Sequence, residues 1–450
     1  MFTSVLIANR GEIALRIQRA CRSLGLRTVA IHSEADRDLA HLRGADVSIC
    51  IGPPPAAHSD LDQAAILLCA KTTGAEAIHP GYGFLSENAD FAERVADAGL
   101  IFIGPSPACI RTMGDKVAAK RAMRAAGVPC VPGPDQSLPE DPETIRQIAE
   151  EIGYPVILKA AGGGGGRGMR IVEAEGDIAE AFALTREEAR RAFGNPAIYV
   201  EKFLGRPRHV EIQVIADAHG RALWLGTRDC SLQRRHQKVV EEAPAPGLDP
   251  GAVADVASRC CEACRQIGYQ GVGTFEFLVE DGQFFFIEMN TRVQVEHPIT
   301  EITAGIDIVA EGIRIAQGHA LPFRQADIAC RGHAFECRIN AENPDTFAPS
   351  PGRVTRWEMP GGPGVRIDSH MSAGATVPPY YDSLIGKLIV HGATRADALA
   401  RLRVALDEAR VDGISTNLPL HRRIAADPVF AAGCVDIHYL EKVLLSRGAA

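Results

Sequence analysis

Residues 271–297 read GVGTFEFLVEDGQFFFIEMNTRVQVEH, and the fold turns on how this stretch reverses at Glu280-Asp281-Gly282. Side chains of a strand point alternately to its two faces. One arm then sets Phe275, Phe277 and Val279 on an apolar face, and the other sets Phe285, Ile287 and Met289 there. The alternate positions carry Glu276 on the first arm, and Glu288 and Asn290 on the second. The two apolar sets share a face only if the loop holds an odd number of residues. The expectation is a three-residue loop with Gly282 left-handed and a bulge beside it. Two carboxylates and an amide oxygen then converge, a hard-oxygen set suited to Mg²⁺ or Mn²⁺ carrying a nucleotide's phosphates. The same alternation predicts a strand running on through Arg292, Gln294 and Glu296, with Thr291, Val293 and Val295 opposite. Arg292 offers a planar fork for a small oxyanion. Glu296 stands at the far end of the row, placed to accept a proton from it.

A second unusual stretch is Lys159–Arg170, KAAGGGGGRGMR. Five consecutive glycines resist ordering, each by roughly 0.5–1 kcal/mol relative to Ala. They follow an apolar strand ending at Lys159 and precede Arg167 and Arg170. Glycine lets backbone N–H groups wrap phosphate oxygens closely, and a segment reluctant to order suits a lid that closes over its ligand. The run lacks the Gly-Lys-Ser/Thr ending of a P-loop.

Outward from these motifs the chain divides in three. The first part alternates strands (SVLIA, RTVAIHS, AEAIHPG, IFIGPS) with amphipathic helices, which predicts an open parallel sheet. Its first turn, ANRGEIA, lacks the G-x-G-x-x-G of a dinucleotide site. Composition shifts near Met113 and again near Arg331, and the Pro-rich acidic stretch VPCVPGPDQSLPEDPE reads as a linker. Expected boundaries are 1–113, 114–330 with a lid subdomain at about 131–203, and an α+β part at 331–450. HVEIQVIAD and ALWLGTRD predict a hairpin about His219-Gly220.

The 450 residues are 46% hydrophobic and 23% charged, with a net charge of -8 that argues against nucleic acid as the main partner. No apolar run reaches membrane-spanning length, and the N-terminus has no export signal, so the expected location is cytoplasmic with twelve reduced cysteines. Cys260, Cys261 and Cys264 share a helical face without a second metal-spaced pair, so they are expected as buried apolar residues.

Together HPGYGFLSEN (79–88), GGGGGRGMR (162–170), PRHVEIQV (207–214), RDCSLQRRHQKVVEEAPAP (228–246), FIEMNTRVQVEHPITE (286–301), FECRINAE (335–342) and PPYYDSLIGKL (378–388) resemble biotin carboxylase, an ATP-grasp enzyme, over nearly the whole chain. The resemblance implies a Rossmann-like N-terminal domain, a central ATP-grasp domain with a mobile glycine-rich lid, and a C-terminal α+β domain. It implies ATP contacts from Lys116, Lys159, Gly165, Gly166, Glu201, Lys202, Phe203, Leu204, His209, Gln233, His236, Glu276, Leu278 and Glu288. Metal, at one or two sites, falls to Glu276, Glu288 and Asn290. Lys238, Arg292, Gln294 and Val295 surround bicarbonate, Glu296 is the base, and Tyr82 and Arg338 face biotin.

The activity implied is ATP-dependent carboxylation of biotin through carboxyphosphate, the first half-reaction of acetyl-CoA carboxylase in fatty acid synthesis, or of another acyl-CoA or pyruvate carboxylase. No Met-Lys-Met motif is present, so biotin is expected on a separate carrier protein. Carboxyltransferase subunits and a homodimer are the other implied partners.

Overall fold

A computed structural model describes residues 1–134, 136–161, 168–433 and 435–446. Five strands, β1 (Ser4–Ile7), β2 (Arg27–Ser33), β3 (Val47–Gly52), β4 (Ala77–His79) and β5 (Ile101–Phe102), form a parallel sheet in the order β3-β2-β1-β4-β5. Helices α1 (Gly11–Ser23), α2 (Ala40–Arg43), α3 (Gln63–Thr73) and α4 (Ala89–Asp97) connect them. Chain order reverses between β1 and β4, and such a switch point leaves a crevice at the strands' carboxyl ends. Asn9, Arg10, Gly11 and Tyr82 stand there and line the main cleft.

Helices α5 (Pro107–Gly114) and α6 (Lys116–Ala125) follow, Asp115 capping α6 through the Val117 and Ala118 amides. A small unit comes next: α7 (Pro142–Ile152), β6 (Val156–Ala160), β7 (Met169–Val172), α8 (Ile178–Phe193) and β8 (Ile198–Lys202), with sheet order β7-β6-β8. It has its own apolar core, from Leu138 through Ile145, Leu158 and Phe182 to Val200. The expected lid glycines Gly165 and Gly166, with Arg167, lie outside the described residues.

The centre is an eight-stranded sheet. Its strands are β9 (Arg208–Ala216), β10 (Ala222–Arg234), β11 (Gln237–Ala243), β12 (Gly271–Glu280), β13 (Gln283–Asn290) and β14 (His333–Asn340), then two from the last third of the chain. That last third contributes β15 (Gly352–Arg353), β16 (Arg356–Glu358), β17 (Val365–Ser369), β18 (Thr376–Val377), β19 (Leu384–Gly392) and β20 (Arg410–Asp412). Sheet order is β13-β12-β9-β10-β11-β14-β19-β17, so backbone pairing runs unbroken across residue 331. Helix α9 (Pro250–Gln266) packs against β9 and β10 and buries Cys260, Cys261 and Cys264 in the core, as their helical spacing predicts. Helices α10 (His297–Ala304), α11 (Ile308–Ala316) and α12 (Arg395–Glu408) cover other faces. Among the described residues no helix is long and apolar enough to cross a membrane.

The decisive hairpin differs from its sequence expectation in one respect. The loop is the two-residue Asp281-Gly282, both left-handed at φ 50 and 76, inside the pair Glu280↔Gln283. That is the turn whose twist matches the flanking strands. The odd residue enters farther along, as a bulge at Ile287, because Phe277 faces Phe286 while Glu276 faces Glu288. Phe284, Phe286 and Met289, rather than Phe285 and Ile287, therefore join Phe275 and Phe277 in the core. The energetics favour this solution. Burying a phenylalanine is worth about 1.5–3 kcal/mol, against roughly 1 kcal/mol for a ladder hydrogen bond lost at the bulge. Parity is restored where the site needs it.

The strand also stops sooner than expected. β13 ends at Asn290, and residues 291–296 form an extended loop and turn that lead into α10.

Candidate functional site

Strands β9, β11, β12 and β13 and the loop after β13 present polar side chains to one cleft of about 1110 Å³. Why polar groups stand here is visible in β9. Val210, Ile212 and Val214 face the core, while His209, Glu211 and Gln213 alternate with them, and all six are buried. Buried polar groups need partners, and these find them in a connected network.

The hub is Lys238. Its ammonium donates to Glu276 Oε1 at 2.9 Å, to Glu296 Oε1 at 2.8 Å and to Glu211 Oε1. Three carboxylates outweigh the cost of burying the cation and push its pKa well up. Glu276 Oε1 also accepts from Asn290 Nδ2 at 2.8 Å and Gln294 Nε2 at 2.7 Å. On its other side Glu276 Oε2 stands 3.2 Å from His209 Nε2, which is 3.3 Å from Glu211. Burial works against the His209 imidazolium, but the Glu276 and Glu211 charges prevail and raise its pKa to about 9.

Beneath this row lies Arg228, the largest fully buried side chain, which sequence reasoning did not single out. Its guanidinium donates to Glu211 Oε2 at 2.9 Å, Gln213 Oε1 at 2.7 Å, Thr300 Oγ1 at 2.9 Å and Thr274 Oγ1 at 3.1 Å, and to Gln294 Oε1. Holding the Gln294 oxygen leaves its NH₂ to face Glu276. Arg228 thus fixes which end of that amide points into the row. Glu211 and Gln213 could have been found from their alternation with core valines and isoleucines; Arg228 carries no such local sign.

Glu296 is held between two cations, Lys238 on one oxygen and Arg338 NH2 at 3.1 Å on the other. Burial alone would raise its pKa; Lys238 and Arg338 reverse that and keep it ionised. Arg338 also donates from Nε to Glu241 Oε1 at 2.6 Å. Arg292 donates from NH2 to Asn290 Oδ1 at 2.7 Å and from Nε to Glu87 Oε2 at 2.8 Å. Glu87, from the HPGYGFLSEN segment, also accepts the Thr291 amide at 3.1 Å. Tyr82 donates its hydroxyl to Glu12, and Lys387 reaches Glu12 at 3.2 Å and the Val295 carbonyl at 2.8 Å.

At the other end, Lys159 Nζ meets Glu201 Oε2 at 2.5 Å, and Lys120 meets the other Glu201 oxygen. Burial, with Lys120 and Lys116 nearby, brings the Lys159 ammonium down to about 7. Lys116, Lys120 and Lys159 thus concentrate positive charge at this end of the cleft, with Glu201 between two of them. The basic run at 233–238 forms the tip of the β10–β11 hairpin, with Arg235 and His236 left-handed at φ 48 and 66. Gln233, His236 and Lys238 line the cleft there, as do Lys116, Lys202, Phe203, Leu204 and Leu278. The Lys202 ammonium points away, to the Gly153 and Tyr154 carbonyls. Every expected site residue within the described part of the chain lines this cleft.

The oxygen set fits a divalent cation. Glu276 and Glu288 face each other across the ladder. Desolvation at the cleft wall and the neighbouring Glu276 charge raise the pKa of Glu288, whose side chain is itself open to the cleft. Such crowding of negative charge is what a hard cation relieves. Glu276, Glu288 and Asn290 are the residues that would hold it. The Asn290 oxygen is engaged by Arg292, so a cation held there would have to share it with Arg292 or displace it.

Comparison with known proteins gives three domain matches in chain order: "Biotin carboxylase, N-terminal domain" over residues 1–110, "Carbamoyl-phosphate synthase L chain, ATP binding domain" over 115–324, and "Biotin carboxylase C-terminal domain" over 336–442. The biotin carboxylase of Pseudomonas aeruginosa is 62% identical over 444 residues, covering 99% of each chain. A crystal structure of the Campylobacter jejuni biotin carboxylase in complex with β,γ-ATP is 48% identical, with a TM-score of 0.93 and 98% of each chain covered. The biotin carboxylase domain dimer of Hydrogenobacter thermophilus 2-oxoglutarate carboxylase, with MgADP, ADP and bicarbonate, is 46% identical at a TM-score of 0.91, again over 98% of each chain.

Proposed function

From a chain that belongs to the biotin carboxylase family, an ATP-dependent carbon–nitrogen ligase acting on biotin and bicarbonate, we propose the following division of labour in the cleft. Lys116, Lys159, His209, Gln233, His236 and Glu276 receive ATP, with Glu201 through Leu204 and Leu278 at its base and Gly165 and Gly166 closing over its phosphates. Lys238, Arg292, Gln294 and Val295 bind bicarbonate. Arg338 and Tyr82 face the biotin ring. A bound divalent cation held by Glu276, Glu288 and Asn290 supplies charge neutralisation for the phosphoryl oxygens.

The observation that carries this reading is the double grip on Glu296. A carboxylate kept ionised between Lys238 and Arg338 can take the bicarbonate proton, while Arg292 orients the oxyanion. The freed bicarbonate oxygen forms a bond to the γ-phosphorus, the bond to the β-phosphate oxygen breaks, and ADP leaves. Lys159 and Lys116 offset the charge spread over the transferring group. Carboxyphosphate splits to CO₂ and phosphate. The biotin urea nitrogen loses its proton to phosphate or another base and bonds to the CO₂ carbon. Arg338 stabilises the negative charge that gathers on the urea oxygen. Closure of the glycine segment excludes water from carboxyphosphate.

The domain limits 1–113, 114–330 and 331–450, with a lid at about 131–203, follow the same reading. So do biotin delivered on a carrier protein, carboxyltransferase subunits as further partners, a homodimer and a cytoplasmic location. The acceptor is acetyl-CoA, in fatty acid synthesis. A biotin carboxylase subunit of another acyl-CoA carboxylase or of a pyruvate carboxylase is the second reading, its keto-acid form favoured by the likeness to the 2-oxoglutarate and pyruvate carboxylase structures. ADP release from ATP with free biotin, with and without bicarbonate, tests the activity. Bicarbonate-dependent release with formation of N-carboxybiotin is expected; release indifferent to bicarbonate sinks the reading.

A further inference from the structure

Behind Arg338 the sheet holds two carboxyl groups to which the reaction assigns no task. Glu241 on β11 and Glu336 on β14 are direct cross-strand partners, a relation that sets their Cβ atoms about 4.5–5.5 Å apart. Both are fully buried. Ala243, Ile299, Ala334 and Ile389 form an apolar cluster on one flank, and Arg338 and Lys387, themselves cross-strand partners, stand on the other. Glu241 gives one oxygen to Arg338 Nε. Its other oxygen, and both oxygens of Glu336, have no hydrogen-bond partner among the described residues. Lys387 turns to the Val295 carbonyl and Glu12 instead.

An ionised carboxylate with no donor in an apolar wall costs several kcal/mol. A neutral one becomes a donor itself. Glu241 is its direct cross-strand neighbour, and the second Glu241 oxygen has no donor among the described residues. We propose that Glu336 is a protonated acid that donates to Glu241, so that the pair carries a single negative charge and acts as a positioning device for Arg338. This rests on the reading of Arg338 as the group facing biotin. With its charge spread into Glu336, Glu241 orients the guanidinium without neutralising it. Arg338 then keeps its pull on the urea oxygen in front. The charged and titratable groups around the pair are consistent with one retained proton. They are Arg338, Lys238, Lys387 and the Cys230 and Cys337 thiols from the sheet, Glu296 from the loop, Tyr82 from the segment after β4, Glu12 and Arg16 from α1, His297 and Glu301 from α10, and Arg366 and Asp368 from β17. Arg16 and Arg366 are taken up by Glu301, Asp307 and Asp368. Burial raises Glu241 to about 7 and Glu336 well above its usual range.

Infrared spectroscopy of the full chain at about pH 8, far above the ordinary carboxylate range, reads the proton directly. A protonated-carboxyl stretch is expected in wild type minus Glu336→Gln difference spectra; no difference band overturns the proposal. Kinetics supply the second arm, with free biotin as substrate. Glu336→Gln, whose amide still donates, keeps kcat/KM for biotin within about threefold and loses the alkaline fall that wild type shows when the pair deprotonates. Glu336→Leu and Glu241→Gln lose at least about thirtyfold in biotin carboxylation, while bicarbonate-dependent ATP cleavage stays within about threefold. Equal damage from Gln and Leu at 336, or an unchanged alkaline limb in Glu336→Gln, also overturns it. If Glu336→Leu does not fold, the spectrum and the Glu336→Gln profile decide. Failure of wild type to carboxylate biotin would strike the parent reading, and the band would still stand or fall by itself.

Discussion

Glu87 and Arg292, 205 residues apart, are joined by a 2.8 Å hydrogen bond from Arg292 Nε to Glu87 Oε2, and Glu87 Oε1 holds the next backbone amide upstream, that of Thr291. One carboxylate from the segment after β4 therefore sets both the backbone and the side chain of the residue proposed to grip bicarbonate. Replacing it by Gln keeps the size and turns an ion pair into a hydrogen bond from the guanidinium to a neutral amide oxygen. Glu87→Gln is expected to raise KM for bicarbonate about tenfold, roughly 1.4 kcal/mol, with kcat for ATP cleavage at saturating bicarbonate changed much less. An unchanged KM would remove Glu87 from the clamp.

Glu296→Gln removes the proposed proton acceptor and leaves the shape. Bicarbonate-dependent ATP cleavage is expected to fall by at least ~10²-fold, the scale of a lost general base. Full activity in this variant would show that another group takes the proton.

Arg338→Ala should separate the two halves of the chemistry. N-carboxybiotin formation is expected to drop by about 10²-fold, as for a lost oxyanion donor, with bicarbonate-dependent ADP release reduced several-fold less. Parallel losses would count against a role at the biotin oxygen.

The pH dependence of stability has a definite sign at Glu211. Burial would raise its pKa, but Lys238, Arg228 and His209 hold it well below the usual carboxylate range. A group depressed in the folded state adds stability above its unfolded pKa and loses it as pH falls through the folded value. Glu211→Gln should therefore flatten the acid side of the Tm-against-pH curve below about pH 4.3, besides lowering Tm throughout by leaving Arg228 less well paired. An acid limb identical to wild type would mean that Glu211 is not ionised in the folded protein.

Arg228→Met tests the buried support. Its guanidinium serves five side chains, two of them in the cleft row. Removing one partner of a buried ionic cluster costs on the order of 3–5 kcal/mol, which should appear as a Tm drop with higher KM for bicarbonate as Gln294 loses its orientation. A variant with wild-type Tm and KM would show the cluster to be dispensable.

The hairpin shows what can and cannot be read from the chain. Apolar and acidic positions along 275–290 demand an odd residue between Glu276 and Glu288, and one exists. Where it sits is decided by the turn's twist and by phenylalanine packing, so it moved from the loop to Ile287. The row from Glu288 to Glu296 was legible as residues that share a site but not as a strand. Beyond Asn290 the chain leaves the ladder, and Lys238, Gln294 and Arg338 are drawn together by charge rather than by a two-residue period. Glu87, Arg228 and Glu241 were missed because their meaning lies in partners brought from other strands and segments.

The pairing of β11 with β14 has a consequence for dissection of the molecule. A fragment cut near residue 331 would bare two long inner strands at once, β11 on one piece and β14 on the other, each with a row of unsatisfied amides that invites sticking to itself. The last third of the chain is not a detachable module, and expressed by itself it should precipitate unless the missing strand is supplied in trans.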